Sequence, residues 1–355
     1  MERLEPTSGM LNLMIQPAFT VKDGVIIQVN EGAQKYFLEP NMPVEELLLT
    51  GKEEYKELKE GCLYLTLNLS GMPYAASVHP MEDFNLFTIE QEKDQAELQS
   101  MALAAQELRV PLSNVMTVAD QLFPVAGEDE DSATKEQISR INRGLFQMLR
   151  IIGNMSDAYR YSQYGEPKLT LLDITEFLGE IFEQSTELLG YGDVQLRFTN
   201  LNKPLLCLVD KEKLERAVHN LISNGVKFAS KGTPIDVRLA QRRNMLFLSI
   251  QSKAEVSASM HDRFRRQPGL EDSRFGIGLG MVLIRAAAAA HGGAVLVDHP
   301  DGETRITMTM EIRQNSDNMV HSSALSVDYA GERNHCLIEL SDVLPARAYE
   351  AKQIN

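Results

Sequence analysis

The chain has 355 residues, 43% apolar and 24% charged, and its 35 Lys and Arg against 50 Asp and Glu give a net charge of −15. That length exceeds one ordinary core and implies two or three domains, while the acidic balance argues against a nucleic-acid or anionic-membrane partner, both of which are held by clustered Lys and Arg. No apolar run approaches the length of a bilayer crossing and the start MERLEPTSG lacks the pattern of a secretory leader, so a cytoplasmic protein is expected.

The three cysteines, Cys62, Cys207 and Cys336, are far apart and read as packed thiols. In chain order, residues 11–92 alternate short β-rich runs with turn signals. Strands are expected at Ala18 to Val21 and Val25 to Val29, joined by Lys22-Asp23-Gly24, where glycine supplies positive φ without steric cost. A helical stretch is expected near PVEELLLTG, followed by two more strands at CLYLTLNLS and DFNLFTIEQ. With Asn30 leading into GAQKYF after the hairpin, this segment resembles a PAS sensory domain.

Residues 93–165 carry the most regular pattern. Leu98, Met101, Ala105, Leu108, Leu112, Val115, Ala119 and Leu122 recur at spacings of three and four, and a second series runs Ile138, Ile141, Leu145, Met148, Ile152, Met155, Tyr159. These spacings predict two heptad helices in an antiparallel hairpin. One hairpin cannot bury both seams, so pairing with a second copy into a four-helix bundle is expected; the alternative is a hairpin packed on another domain of its own chain.

From 168 to 313 the pattern becomes mixed α/β. ITEFLGEIFEQSTELLG reads as a helix, VQLRFTN and LLCLV as strands, and Asp210 as the N-cap of a long helix through HNLISNGVKF. Strands at IDVRLAQ and MLFLSIQ, a helix near MVLIRAAAAAHGG and a strand pair at AVLVDHP and RITMTMEI complete an α/β sandwich, so the whole chain reads as multidomain α+β. Residues 314–355 read as a polar linker followed by a strand-like tail, HCLIELSDVL, packed as a terminal hairpin, adding an edge strand, or docking a partner by strand addition.

The order of parts, with Glu-Leu-Arg-x-Pro-Leu on the first heptad helix and then HNLISNGVKF and FGIGLGM, resembles a bacterial sensor histidine kinase. The resemblance implies a GHKL-type ATPase-like domain with a nucleotide site at Asn220, Asn224, Lys227, Gly276, Gly278 and Gly280, the two asparagines holding Mg²⁺ only if nucleotide binds. Oxygen ligands suit that hard cation. Arg263, Arg265 and Arg266 are further candidates for phosphate contacts, and His291 belongs to a helix-ending turn, not to a site.

Three departures bear on the chemistry the family would imply. The phosphoacceptor position holds Gln106, which has no nucleophile comparable to imidazole, leaving Glu107, Arg109 and Pro111 as a remnant box; none of the seven histidines lies in either heptad helix. Val110 stands where family members with phosphatase activity use a hydrogen-bonding residue. Ser252 occupies the place of the first glycine-box Asp, with Ala254 and Val256 replacing glycines. The resemblance thus implies a catalytically impaired member, a pseudo-histidine kinase with no cofactor or weak Mg-ATP binding, acting as a homodimeric scaffold on a response regulator or another histidine kinase. Two alternatives stay open: an ATP-binding kinase or ATPase with a non-histidine acceptor, and a PAS ligand-binding module with structural dimerisation domains.

Overall fold

The computed structural model describes residues 11–90, 92–122, 132–162, 166–201, 203–253, 278–314 and 333–350. Near the N-terminus, β1 (Ala18–Lys22) and β2 (Val25–Val29) close through Asp23 and Gly24, both at positive φ, as the turn chemistry requires. Asn30 is 1% exposed and ties this segment together. Its Oδ1 accepts from the backbone N–H of Ala18 and Ala33, each at 2.9 Å, and caps the short helix α1 (Glu31–Gln34), while its Nδ2 donates to Gln16 O at 2.9 Å.

Short helices α2 (Val44–Leu47) and α3 (Lys52–Glu57) precede β3 (Cys62–Leu69), β4 (Met72–Pro80) and β5 (Asn85–Ile89). Strand β4 went unforeseen because proline stands at its second and last positions and only two of its residues are buried, so no alternating apolar face marks it. The five strands pair antiparallel in the order β2-β1-β5-β4-β3. Phe19, Ile26, Leu63, Leu67 and Phe87 fill the core of this unit, with Phe19 and Phe87 stacked at 4.7 Å.

Helices α4 (Glu92–Leu122) and α5 (Ser132–Ser162) form the expected hairpin, and α4 runs through Pro111. Its two seams are used unequally. Ala105, Leu112, Ala119, Leu145, Ile152 and Met155 are buried, whereas Leu108, Val115, Leu122, Ile141 and Met148 are about half exposed or more. The same side of the hairpin exposes Ile151, which lines an apolar groove with Leu108, Pro111, Val115 and Met148.

The third unit opens with β6 (Leu169–Asp173), α6 (Ile174–Gly190), β7 (Leu196–Thr199) and β8 (Leu206–Asp210). Asp210 caps α7 (Lys211–Phe228) through a hydrogen bond from Lys213 N, as its residue type predicts. After β9 (Ile235–Arg242) and β10 (Met245–Lys253) come α8 (Leu279–Ala290), β11 (Val295–Asp298) and β12 (Glu303–Glu311). Helices α7 and α8 pack together, and the sheet runs β11-β12-β10-β9-β7, with β7 parallel to β9 and β6 paired separately with β8.

The two sheets are one. Cys62, Leu63 and Tyr64 of β3 pair antiparallel with Val297, Leu296 and Val295 of β11, which makes a single ten-stranded sheet. Gly61 makes this junction possible: at φ 87° it approaches so closely that a Cβ there would lie 2.3 Å from Val297 O. Cys62, Cys207 and Cys336 are all buried free thiols, as expected. No described helix is long and apolar enough to cross a membrane.

The C-terminal segment corrects the sequence expectation. It is not a strand: His335–Glu339 form helix α9, started by Asn334, whose side chain accepts from Leu337 N, and a 3-10 turn follows at Ala346–Tyr349. Every residue from Cys336 to Ser341 is buried, so the run has no alternating face to mark a strand, and a short apolar run is ambiguous by periodicity alone. The segment lies against α5, α6 and α7, with Tyr349 fully buried and its ring 5.2 Å from that of Phe146.

The Asn30 network makes a direct prediction. Asn30→Ala should leave buried amide and carbonyl groups of the N-terminal hairpin without partners and destabilise the protein by about 1–3 kcal/mol, measured by urea denaturation. Asn30→Asp, which keeps the acceptor but sets a carboxylate against backbone carbonyls, should be no better.

Candidate functional site

The site is built on α7. Arg216, Asn220, Ser223 and Lys227 recur at i, i+4, i+7 and i+11 and therefore share one face, with Asn224 at its border. All four of these side chains meet residues from elsewhere in the chain. Asn220 is 1% exposed; its Nδ2 donates back to Arg216 O at 2.8 Å, and its Oδ1 accepts from Arg150 of α5 at 3.3 Å. Ser223 Oγ donates to Asp342 at 2.9 Å, and Lys227 forms an ion pair with the same carboxylate.

Arg150 also pairs with Asp342, and its Nε lies 3.9 Å from Glu339. Arg216 joins Glu339 on one side and Asp157 of α5 at 2.7 Å on the other. Asp157 is shared with Arg160, which also binds Glu212. Three cations, Arg150, Arg216 and Lys227, thus meet three carboxylates, Asp157, Glu339 and Asp342, in a setting where Arg150, Arg216 and Glu339 are less than a tenth exposed.

Burial works against the Asp342 carboxylate, but Arg150 and Lys227, with hydrogen bonds from Lys227 and Ser223, outweigh it and hold its carboxyl below the usual range. Burial draws the Lys227 ammonium below the usual lysine range despite the opposing pull of Asp342. His219 lies beside this face, fully buried, with Nδ1 3.0 Å from Glu215 O; burial pushes it below the ordinary histidine value, with Glu339 and Glu215 opposing.

The glycine expectations divide. Gly278 sits at φ 77° as the N-cap of α8, and Gly280 allows α8 to meet α7: a Cβ on it would stand 2.8 Å from Asn220 Oδ1. Gly276 lies outside the described residues, as do Ala254, Val256, Arg263, Arg265 and Arg266. Ser252, the last buried residue of β10, is 4% exposed and pairs in register with Thr304. His291 ends α8 as expected. Its Nε2 accepts from Asp210 N at 2.9 Å and its Nδ1 donates to Ala287 O at 2.7 Å, so the ring is fixed as a neutral tautomer between β8 and α8.

The remnant box is separate from this network. Gln106, Glu107 and Arg109 are exposed on α4, and Arg109 donates to Ser156 at 3.4 Å. Sequence reasoning therefore found Asn220 and Lys227 but not Arg150, Arg216, Glu339 or Asp342. Arg150 follows a heptad seam as an ordinary charge, and the two carboxylates lie in a run read as a strand; nothing in linear spacing joins them to α7.

The face described here does not fit Mg²⁺ and phosphate as it stands. The Asn220 oxygen is already used by Arg150, and Lys227 and Ser223 by Asp342. Among the described residues no group of three His, Cys, Asp or Glu side chains is arranged to hold a metal ion.

Residues 209–314 match the family described as histidine kinase-, DNA gyrase B-, and HSP90-like ATPase, a stretch that contains every expected nucleotide-site residue. Sensor histidine kinase WalK of Bacillus subtilis is 24% identical over 240 residues, 63% of this chain and 38% of that protein. Sensor histidine kinase CusS of Escherichia coli K12 is 25% identical over 218 residues, 58% of this chain and 44% of that protein. The chain spans less than half the length of these relatives. Among solved structures, full-length ShkA in complex with AMPPNP aligns with 61% of this chain and 47% of its own at TM-score 0.47 and 19% identity. The histidine kinase ThkA in complex with response regulator protein TrrA aligns with 86% of this chain and 98% of its own at TM-score 0.42 and 14% identity.

Two outcomes test the electrostatics. Arg216→Met strands two nearly buried carboxylates and should cost about 3–5 kcal/mol in denaturant unfolding, much of it recovered in the double variant Arg216→Met, Glu339→Met. His219 and His291 are held neutral in the fold by burial and protonate near pH 6.5 when unfolded. Their contribution is therefore fully present above about pH 6.5 and is lost as pH falls below it, because the unfolded state then binds more protons. The urea midpoint should drop between about pH 7.5 and pH 5.5, and His291→Gln should reduce that drop.

Proposed function

The chain belongs to the histidine kinase family, and we propose that within it this protein is a two-component signalling protein that relays by conformation and docking instead of phosphorylating itself. The observation that carries this is Gln106. It stands exposed on α4 in the frame that continues through Glu107, Arg109 and Pro111, at the position where the family's acceptor histidine belongs. An amide at that position cannot take a phosphoryl group as an imidazole does.

Residues 11–92 serve in this reading as a PAS-like sensory module; the five-stranded antiparallel order and the Asn30 cap support it. The exposed stripe Leu108, Val115, Leu122, Ile141 and Met148 supports homodimerisation through a four-helix bundle, since an apolar seam of that length is stable only when covered. Signals from the sensory module would reach residues 168–313 through this hairpin and through the β3–β11 junction, in a cytoplasmic protein whose output is docking to a response regulator or to another histidine kinase. Nucleotide would enter weakly or not at all, with Ser252 replacing the carboxylate expected to receive the adenine amine; a neutral acceptor is the weaker partner.

A second reading, an ATPase or a kinase with a non-histidine acceptor, draws on the retained Asn220, Asn224 and Lys227. Incubation with radiolabelled Mg-ATP separates the two: the scaffold reading expects no label on the protein and no phosphate release, and either product would favour the enzyme. Analytical ultracentrifugation should show a dimer, and Leu108→Glu with Val115→Glu should yield a folded monomer. A native monomer would contradict the bundle.

A further inference from the structure

The face of α7 that the family reading assigns to phosphates and Mg²⁺ is covered by the chain's own C-terminal segment. Asp342 places its carboxylate between Lys227 and Arg150 and accepts from Ser223, an anion with three donors around it. A phosphate oxygen entering the same place would meet the same donors, since cationic side chains and a hydroxyl bind either anion. We propose that residues 333–350 are an intramolecular occupant of this site, so that the tail and a polyphosphate ligand compete for Arg150, Ser223 and Lys227.

The charges set the class of ligand. With the tail in place, Asp157, Glu339 and Asp342 balance Arg150, Arg216 and Lys227. Lifting the tail removes Glu339 and Asp342 and leaves two positive charges in excess on the uncovered face, which favours a multiply charged anion in their place. The apolar side of the tail sets the resting state. Cys336, Leu337, Ile338 and Leu340 are each no more than 2% exposed, and Asn142 and Gln147 of α5 donate to Tyr349 O and Ser341 O. Arg150 becomes a binding residue supplied by the hairpin, which links occupancy of the site to the position of α5.

The inference rests on the family assignment of α7 and not on whether the chain is catalytic. A thiol offers the test. Cys336 is buried on α9, with its thiol pushed up to about 12 by burial, so the docked tail protects it from alkylation. Inorganic tripolyphosphate, which carries no adenine and so bypasses Ser252, should speed labelling of Cys336 in the full chain about tenfold while leaving Cys62 and Cys207 unchanged. In calorimetric titration Asp342→Asn should bind tripolyphosphate about tenfold more tightly than the parent, because a larger fraction of molecules is open to it.

Equal affinities with unchanged Cys336 labelling would overturn the proposal, and so would no binding to either protein. If Asp342→Asn fails to melt cooperatively, the labelling of the parent decides alone. Label transferred from Mg-ATP to the protein would defeat the scaffold reading and leave this one standing, since the two tests read different events.

Discussion

One interaction organises the lower half of the molecule: the charge-balanced cluster in which Arg150, Arg216 and Lys227 meet Asp157, Glu339 and Asp342. Each residue comes from one of three places, helix α5, helix α7 or the C-terminal segment, so none of the three can move without stranding charge. A buried ion pair adds little net stability over a well-packed apolar pair, but losing one partner is expensive. The cluster therefore acts as a constraint on arrangement: it selects one docking of the hairpin and tail on α7 over other packings that would bury similar apolar area.

The rest of the architecture follows from that docking. A core that runs through α4, α5, α6, α7, α8 and α9 leaves the apolar stripe of Leu108, Val115 and Met148 on the far side of the hairpin. At the other end, the β3–β11 pairing joins the first sheet to the third unit, at a close approach where a Cβ on Gly61 would clash with Val297 O. The first sheet and that of the third unit are thus mechanically continuous, while the hairpin is held both by this apolar core and by the side-chain charges of the cluster.

Much of this was legible in the sequence because the signals were local. Asp23-Gly24 marked its hairpin, Asp210 its helix, and HGG after an alanine-rich run marked the end of α8, each by chemistry confined to a few residues. The heptad spacing correctly announced two long helices, and only the division of each seam between an inner and an outer face escaped it, since periodicity does not say what lies on either side. What could not be read was long-range. Asp342 and Lys227 are 115 positions apart in the numbering, and a carboxylate in an apolar run carries no mark of the cation it will meet. The tail's helical form escaped for a related reason: burial on all sides erased the alternation that separates strand from helix.

Hydrogen–deuterium exchange on the purified full chain at neutral pH tests most directly whether its own tail covers the α7 face. The account predicts that amides from Leu337 to Leu344 exchange as slowly as those of β10, and that Ser223 to Phe228 lose protection when Glu339 and Asp342 are both neutralised as Gln and Asn. Tail amides exchanging at the rate of an unstructured peptide, with α7 protection unchanged by those substitutions, would contradict it.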